Sequence, residues 1–364
     1  MSGLRAARGV AFAMTLVATS IAACEAVLGV DGLEAAAGGV GGTASGSSSS
    51  SSGGFARPPA PGPLEAPDGG SSVTFAFTHV YFGDTNLDGG TDANAWEQFG
   101  YNIDGIQPEN TGAFCMAVDG APAGVHQEGI NGIQNAFGHV VVQLLVELLP
   151  NFSMVYNQSL TNGDFTYLLT LNDLGSAADA NPIVASFALG GSLADGGMAE
   201  LDGGDAWPVV KGTSFQFPSS YVVGNTWVSG SPIDITLSLR AGPFSLQLPV
   251  HHMVASMRLD AAHQTATDGV LSGIVPTAEL VAQVQALAGL VDPTNCTNQT
   301  AQGIFRDIAG ASDILEDGTQ NHTQTCNGIT IGLGFTAAAA KVGPMVDAPA
   351  PAADPCLGKD AAAD

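Results

Sequence analysis

The chain has 364 residues, of which 34 are acidic and 9 basic, for a formal net charge of −25. Such a surface disfavours nucleic acid, whose phosphates are held by lysine and arginine, and favours divalent cations or basic partners. The length allows one large folded domain between its terminal segments.

At the start, Arg5 and Arg8 precede an apolar stretch over 10–18 that is too short to cross a bilayer, and Ile21, Ala22, Ala23 and Cys24 follow. This is the form of a secretory signal ending in a lipobox. It resembles the leader of bacterial lipoproteins, in which residues 1–23 would be removed and Cys24 would become a fatty-acylated N-terminus, carrying palmitate-type chains on sulfur and on the amino group. Each buried methylene contributes about 0.8 kcal/mol, so two or more chains anchor stably where one does not. Loss of Arg5 and Arg8, with no acid removed, takes the net charge from −25 to −27. Residues 24–72 read as a flexible tether, with a serine run at 47–52 and a proline cluster at 58–67. Residues 346–364, rich in Ala, Pro and Asp, read as a disordered tail. A β-rich domain is left at 73–345.

Inside that domain the apolar period is mostly two, the signature of strands. Strands are predicted at 73–82, 165–171, 183–189, 215–223 and 329–336. Ile233, Ile235, Leu237 and Leu239 alternate with Asp234, Thr236 and Ser238, and Gly242 turns the chain. Phe244, Leu246, Leu248 and Val250 then fall on even numbers, but Met253, Ala255, Met257 and Leu259 on odd ones. The phase flips at His251 and His252, so a bulge or reversal is expected there. Three helices are predicted. One covers 137–149; one starts at Thr277 as N-cap and carries Leu280, Val281, Val284 and Leu287; the third has Ile304, Ile308, Ala311 and Leu315 on one stripe. The pattern predicts a mainly β fold, an antiparallel, jelly-roll-like β sandwich with a few peripheral α-helices.

Once Cys24 is acylated, Cys115, Cys296, Cys326 and Cys356 remain, an even number that predicts two disulfides in an exported chain. Their closeness in sequence favours Cys296 with Cys326, leaving Cys115 with Cys356. No Cys-x-x-Cys spacing supports zinc.

The sharpest local motif is Asp84, Asn86, Asp88, Gly89, Gly90 and Asp92, in which oxygen ligands recur every second residue as in the opening half of an EF-hand-like calcium loop. The closing glutamate is missing: the twelfth place is Ala95, with Glu97 and Asp104 further on. An Asx-rich turn that caps its own backbone is the competing reading. Calcium is the one cofactor the sequence suggests.

No Gly-x-Ser-x-Gly elbow and no His-Glu-x-x-His pair occurs, and His79, His126, His139, His251, His252, His263 and His322 are scattered. Glu128, Asn131, Gln134 and Asn135 form a polar cluster suited to a sugar, a cation or loop capping. Among Trp96, Trp207 and Trp227, Trp207 in a Gly/Asp-rich loop is the candidate for stacking on a ligand.

The stretches 96–105 (Trp-Glu-Gln-Phe-Gly-Tyr-Asn-Ile-Asp-Gly), 219–230 (with Tyr221-Val-Val-Gly-Asn-Thr-Trp227) and 327–335 resemble segments of uncharacterised predicted lipoproteins of high-GC Gram-negative bacteria. The resemblance carries over no catalytic residue; with the lipobox, the expectation is a lipid-anchored envelope protein, the outer membrane or cell surface being favoured over the inner membrane and the leaflet left open. The expectation is a non-enzymatic binding or structural module, attached to a membrane by its lipid and meeting an unidentified ligand or protein partner. An envelope hydrolase acting on carbohydrate or peptide polymers and a lipid-carrying β protein are the alternatives.

Overall fold

A computed structural model describes residues 56–357 except 66, 68, 107–110, 194–196, 242–243 and 351–352. The signal at 1–23, the anchor Cys24, the tether as far as residue 55, the turn at Gly242 and the tail from 358 lie outside the described residues. The strands are β1 (Val73–Tyr81), β2 (Thr166–Leu171), β3 (Ala180–Gly190), β4 (Ala206–Val210), β5 (Phe215–Val223), β6 (Thr226–Val228), β7 (Ile233–Ala241), β8 (Phe244–Leu259), β9 (Thr265–Pro276) and β10 (Gly328–Val346). The α-helices are α1 (Val142–Leu148), entered through a π turn at Phe137–Val141, α2 (Phe152–Thr161), α3 (Thr277–Val291) and α4 (Gln299–Gly310).

Antiparallel pairing runs β1–β2–β3–β5–β6–β8–β9–β10 and returns from β10 to β1, so eight strands close into a ring. Outside it, β4 lies parallel to the end of β10 and touches β3, while β7 makes a hairpin with the first half of β8. The chain is thus mainly β and mostly antiparallel. Pairing yields one continuous mixed sheet where the sequence suggests two facing ones.

Alternation decides which side chains face the interior. Phe75 and Phe77 of β1, Tyr167 and Leu169 of β2, Phe187 and Leu189 of β3, and Ile331, Leu333 and Phe335 of β10 share one core. Their neighbours Ala76, Leu168 and Ala188 face the other way, where Trp207 and Val209 of β4 cover them. In β8 the register against β9 shifts between His251 and Val254, and His252 takes a φ of 52°. This is the bulge expected from the phase flip, and it keeps Leu246, Leu248 and Val250 in the same core as Met253, Ala255 and Met257.

The outer face of β10 carries Gly332 and Gly334. A Cβ at Gly332 would overlap the Phe99 carbonyl oxygen, and one at Gly334 would overlap the Phe99 ring. The absence of side chains lets the segment around Phe99 lie directly on the strand. Buried Asn135 fastens it: Nδ2 donates to the carbonyls of Gly332 (2.9 Å) and Phe99 (3.1 Å), and Oδ1 accepts from the N–H groups of Gly332 and Gly138 (both 2.9 Å).

Several boundaries differ from the sequence reading. Thr277 is the first residue of α3 rather than its cap, because its hydroxyl pairs with Ser312 Oγ (2.7 Å). The third helix stops at Gly310, so Leu315 of the expected stripe lies beyond it, packed beside Cys115 and Cys326. The proline half of the expected tether lies against the domain: Tyr221 donates to the Pro59 carbonyl, Asn181 Nδ2 to the Gly62 carbonyl (2.7 Å), and Glu65 pairs with the Asn181 backbone. Within the described part of the expected tail, Asp347 pairs with Lys211 (2.7 Å) and Cys356 is bonded to Cys296.

Both disulfides are present with partners exchanged, Cys115–Cys326 and Cys296–Cys356, at Cα separations of 5.3 and 5.2 Å. Sequence proximity misleads because Met116 pairs with residues 324–326, giving to Gln324 O and taking from Cys326 N–H, which sets Cys115 beside Cys326. Cys356 reaches Cys296 over Gly289 of α3, where a Cβ would stand 2.6 Å from the Cys356 sulfur.

Replacing Asn135 with alanine leaves several buried backbone groups on both sides without a partner, each costing about 1–3 kcal/mol. Urea denaturation should show a loss of roughly 3–5 kcal/mol on that basis. A loss below about 1 kcal/mol would mean that the Phe99 segment is not held by this side chain.

Candidate functional site

A cavity of about 1020 Å³ opens at one mouth of the strand ring. Its floor is the inward face of three neighbouring strands, Tyr167, Phe187, Leu189 and Phe215. The Phe187 ring stacks between Tyr167 (centroids 5.3 Å apart) and Phe215 (5.1 Å). One turn after another of α3 supplies an apolar wall through Ala282, Ala286, Leu287 and Leu290. An eight-stranded ring encloses enough room for side chains or one small ligand, and barrel mouths are common sites for such ligands.

The opposite wall is polar for a reason visible in the strand. Ile235, Leu237 and Leu239 of β7 are buried, so period two turns Asp234, Thr236, Ser238 and Arg240 to the cavity. Ser245 and Gln247 of β8 join them, and Gln247 Nε2 donates to Ser238 Oγ (2.6 Å) and Ser245 Oγ (2.8 Å). Gln283 of α3 accepts from the Gln247 N–H (3.2 Å), and the Tyr167 hydroxyl donates to the Ser238 carbonyl (2.6 Å). Helix, hairpin and ring are therefore pinned around one space. At its rim the chain leaving β10 contributes Ala348, Pro349, Ala350 and Asp354.

A second polar group lies near the Cys115–Cys326 bridge, with Gln134, Asp313 and Thr330 buried and Asp104 and Gln320 half-buried. Asp313 accepts from the Thr330 N–H (2.8 Å) and pairs with its hydroxyl (2.6 Å). Gln134 and Gln320 both donate to Asp104 Oδ2, at 2.7 and 2.9 Å. Burial pushes the Asp313 carboxyl up to about 7, opposed by its bonds to Thr330 and helped by the Asp104 charge. The group ties loop, α4 exit and β10 together.

Of the residues singled out in the sequence, Cys24 lies outside the described ones. Asp84, Asn86, Asp88 and Asp92 share a loop closed by Asp92 N–H to Asp84 O (3.1 Å) and Asn86 N–H to Gly90 O (2.9 Å). Asp84 Oδ1 and Asn86 Oδ1 are buried there without a hydrogen-bond partner. No cluster of three or more His, Cys, Asp or Glu side chains among the described residues is arranged to hold a metal. Trp207 is fully buried beneath Ala76 and Leu168 and cannot stack on a ligand; its loop position in the sequence concealed β4. Trp96 and Trp227 are buried as well. Gln134 and Asn135 tie neighbouring segments, Gln134 to Ile103 and Asp104 and Asn135 to Phe99 and Gly332.

His79, His126, His139, His251 and His263 pack or brace. His79 lies against Tyr81, His126 on Phe114 and His139 on Trp96, and burial lowers the pKa of all three. His263 Nδ1 is bonded to the Gly175 carbonyl (2.9 Å). The one imidazole–carboxylate pair among the described residues, His251 with Asp234 (3.3 Å), sits in the bulge with Asp234 well exposed. The four described cysteines are all in disulfides, so no thiol nucleophile exists among them. Sequence reading missed Arg240, Gln247 and Gln283. The polar face of β7 was the available signal, but only the ring's closure shows that this face borders a cavity.

Comparison with known proteins gives no matching family model, no similar curated protein and no similar solved structure.

The raised Asp313 carboxyl has a pH signature. An unfolded chain releases this proton near 3.8 and the folded one near 7, so between those values the folded state binds more protons and its stability falls as pH rises. Asp313→Asn keeps the shape and the Thr330 bonds but cannot ionise. Denaturation from pH 4 to 8 should show the wild type losing stability relative to the variant, on the order of a few kcal/mol in total, with the difference constant above about pH 7. A difference independent of pH would contradict the buried neutral acid.

Proposed function

We propose that this chain is an exported, lipid-anchored binding module of the bacterial cell envelope, and that the cavity at the ring mouth is where it holds a small molecule. The observation that carries the reading is the cavity itself: an aromatic floor, an apolar helical wall and an opposed row of polar side chains, the usual makeup of a ligand site. The lipobox pattern at Ile21–Ala22–Ala23–Cys24 supports acylation at Cys24. Two disulfides support an oxidising compartment. Attachment through the lipid at the outer membrane or cell surface and kinship with predicted lipoproteins of high-GC Gram-negative bacteria belong to the same proposal. A calcium ion at the 84–92 loop would be structural; the two partnerless buried oxygens, Asp84 Oδ1 and Asn86 Oδ1, support it.

Binding is tested by filling the cavity. Ala286→Trp places an indole against the Phe187 floor. Protein recovered from the producing membrane, confirmed folded by circular dichroism, should yield a bound small molecule by mass spectrometry in the wild type and none in the variant. Equal recovery from both, or none from the wild type, would contradict the reading. For the metal, calcium should raise the melting temperature and a chelator reverse the gain, with Asp84→Asn abolishing both effects. An unchanged melting temperature removes the ion.

A further inference from the structure

The chemistry of the ligand is suggested by one cation. In a chain with 9 basic and 34 acidic residues, Arg240 lines the cavity, partly buried, and makes no ion pair among the described residues. A guanidinium withdrawn from water is costly without an anion and presents a planar fork suited to carboxylate or phosphate oxygens. The cavity's carboxylates do not serve it. Asp234 stands six residues away along an extended strand, roughly 20 Å, and is engaged by His251 and the His252 N–H. Asp354, at the rim, accepts from the Cys356 N–H (2.8 Å).

Beside Arg240, the paired residue Ser245 and its neighbour Ser238 both accept from Gln247 Nε2 and stand 3.4 Å apart. One hydroxyl proton is spent between the two serines, and the other is available to donate. Opposite lie Phe187, Phe215, Leu287 and Leu290, with no charged group among them. A cation and hydroxyls on one wall, facing an apolar floor and helix, match a molecule with an anionic head and a hydrocarbon body.

We propose that the cavity takes a single-chain amphiphile with a carboxylate or phosphate head, the head held by Arg240 and the serine pair, and the chain lying along the Phe187–Phe215 floor. This rests on the cavity being a ligand site and names what fills it. The full-length protein, delipidated of bound small molecules, would be titrated calorimetrically with dodecanoate, dodecyl phosphate and dodecanol below their micelle concentrations. At least one anion should bind about tenfold or more tighter than the alcohol, in line with a charge-assisted hydrogen bond; the tighter of the two identifies the head. Arg240→Gln should bring the anion to the alcohol's affinity, Arg240→Lys should fall between, and Ala286→Trp should remove all three. Alcohol binding as tight as both anions, an Arg240→Gln variant with unchanged anion affinity, or no anion binding at all would each overturn the proposal. In the last case, a small molecule still recovered from the wild type and not from Ala286→Trp would leave the cavity as a ligand site of different chemistry.

Discussion

Everything in this fold turns on how closely the Phe99 segment approaches β10. That strand is shared between β1 and β9 and, at its far end, β4, so it closes the ring and carries the longest continuous pairing. Its inward face is Ile329, Ile331, Leu333 and Phe335, while Gly332 and Gly334 leave its outward face bare. A bare strand face is stable only if something covers it without side chains between. The Phe99 backbone and Asn135 do so, and the Asn135 side chain bonds that segment to β10 through backbone groups on both sides.

With the outer face of β10 sealed, the interior has its exit elsewhere. Aromatic rings line the ring from Phe335 through Phe77, Tyr167 and Phe187 to Phe215, Phe217 and Trp227. Where that row meets the β7–β8 hairpin and α3, packing stops short of filling the space. Apolar floors left open cost dispersion contacts unless another molecule supplies them. The wall that faces this floor is the polar side of β7, which alternation would otherwise give to solvent.

Much of this was legible in the sequence because period two is a local signal. β1, β2, β3, β5 and β7 begin and end within a few residues of the pattern, and the bulge follows from the phase flip at His251. β10 runs ten residues past Thr336, hidden in the sequence because Ala337–Ala340 have low strand propensity and show no alternation. β4 was hidden by its Pro208 and glycine-rich approach, and its Trp207 then looked exposed. Features set by distant partners were not legible. Ring closure through β1 and β10, the exchanged disulfides (211 and 60 residues apart) and the cavity all depend on which distant segments meet, and no spacing rule encodes that.

The most direct observation is an electron-density map of crystals grown from protein taken from its own membrane, with no small molecule added. Continuous elongated density along the Phe187–Phe215 floor, ending in a rounded head against Arg240, is the expected result. A cavity holding only isolated waters, or one closed by α3 packing onto the aromatic floor, would contradict the assignment of this space to a ligand.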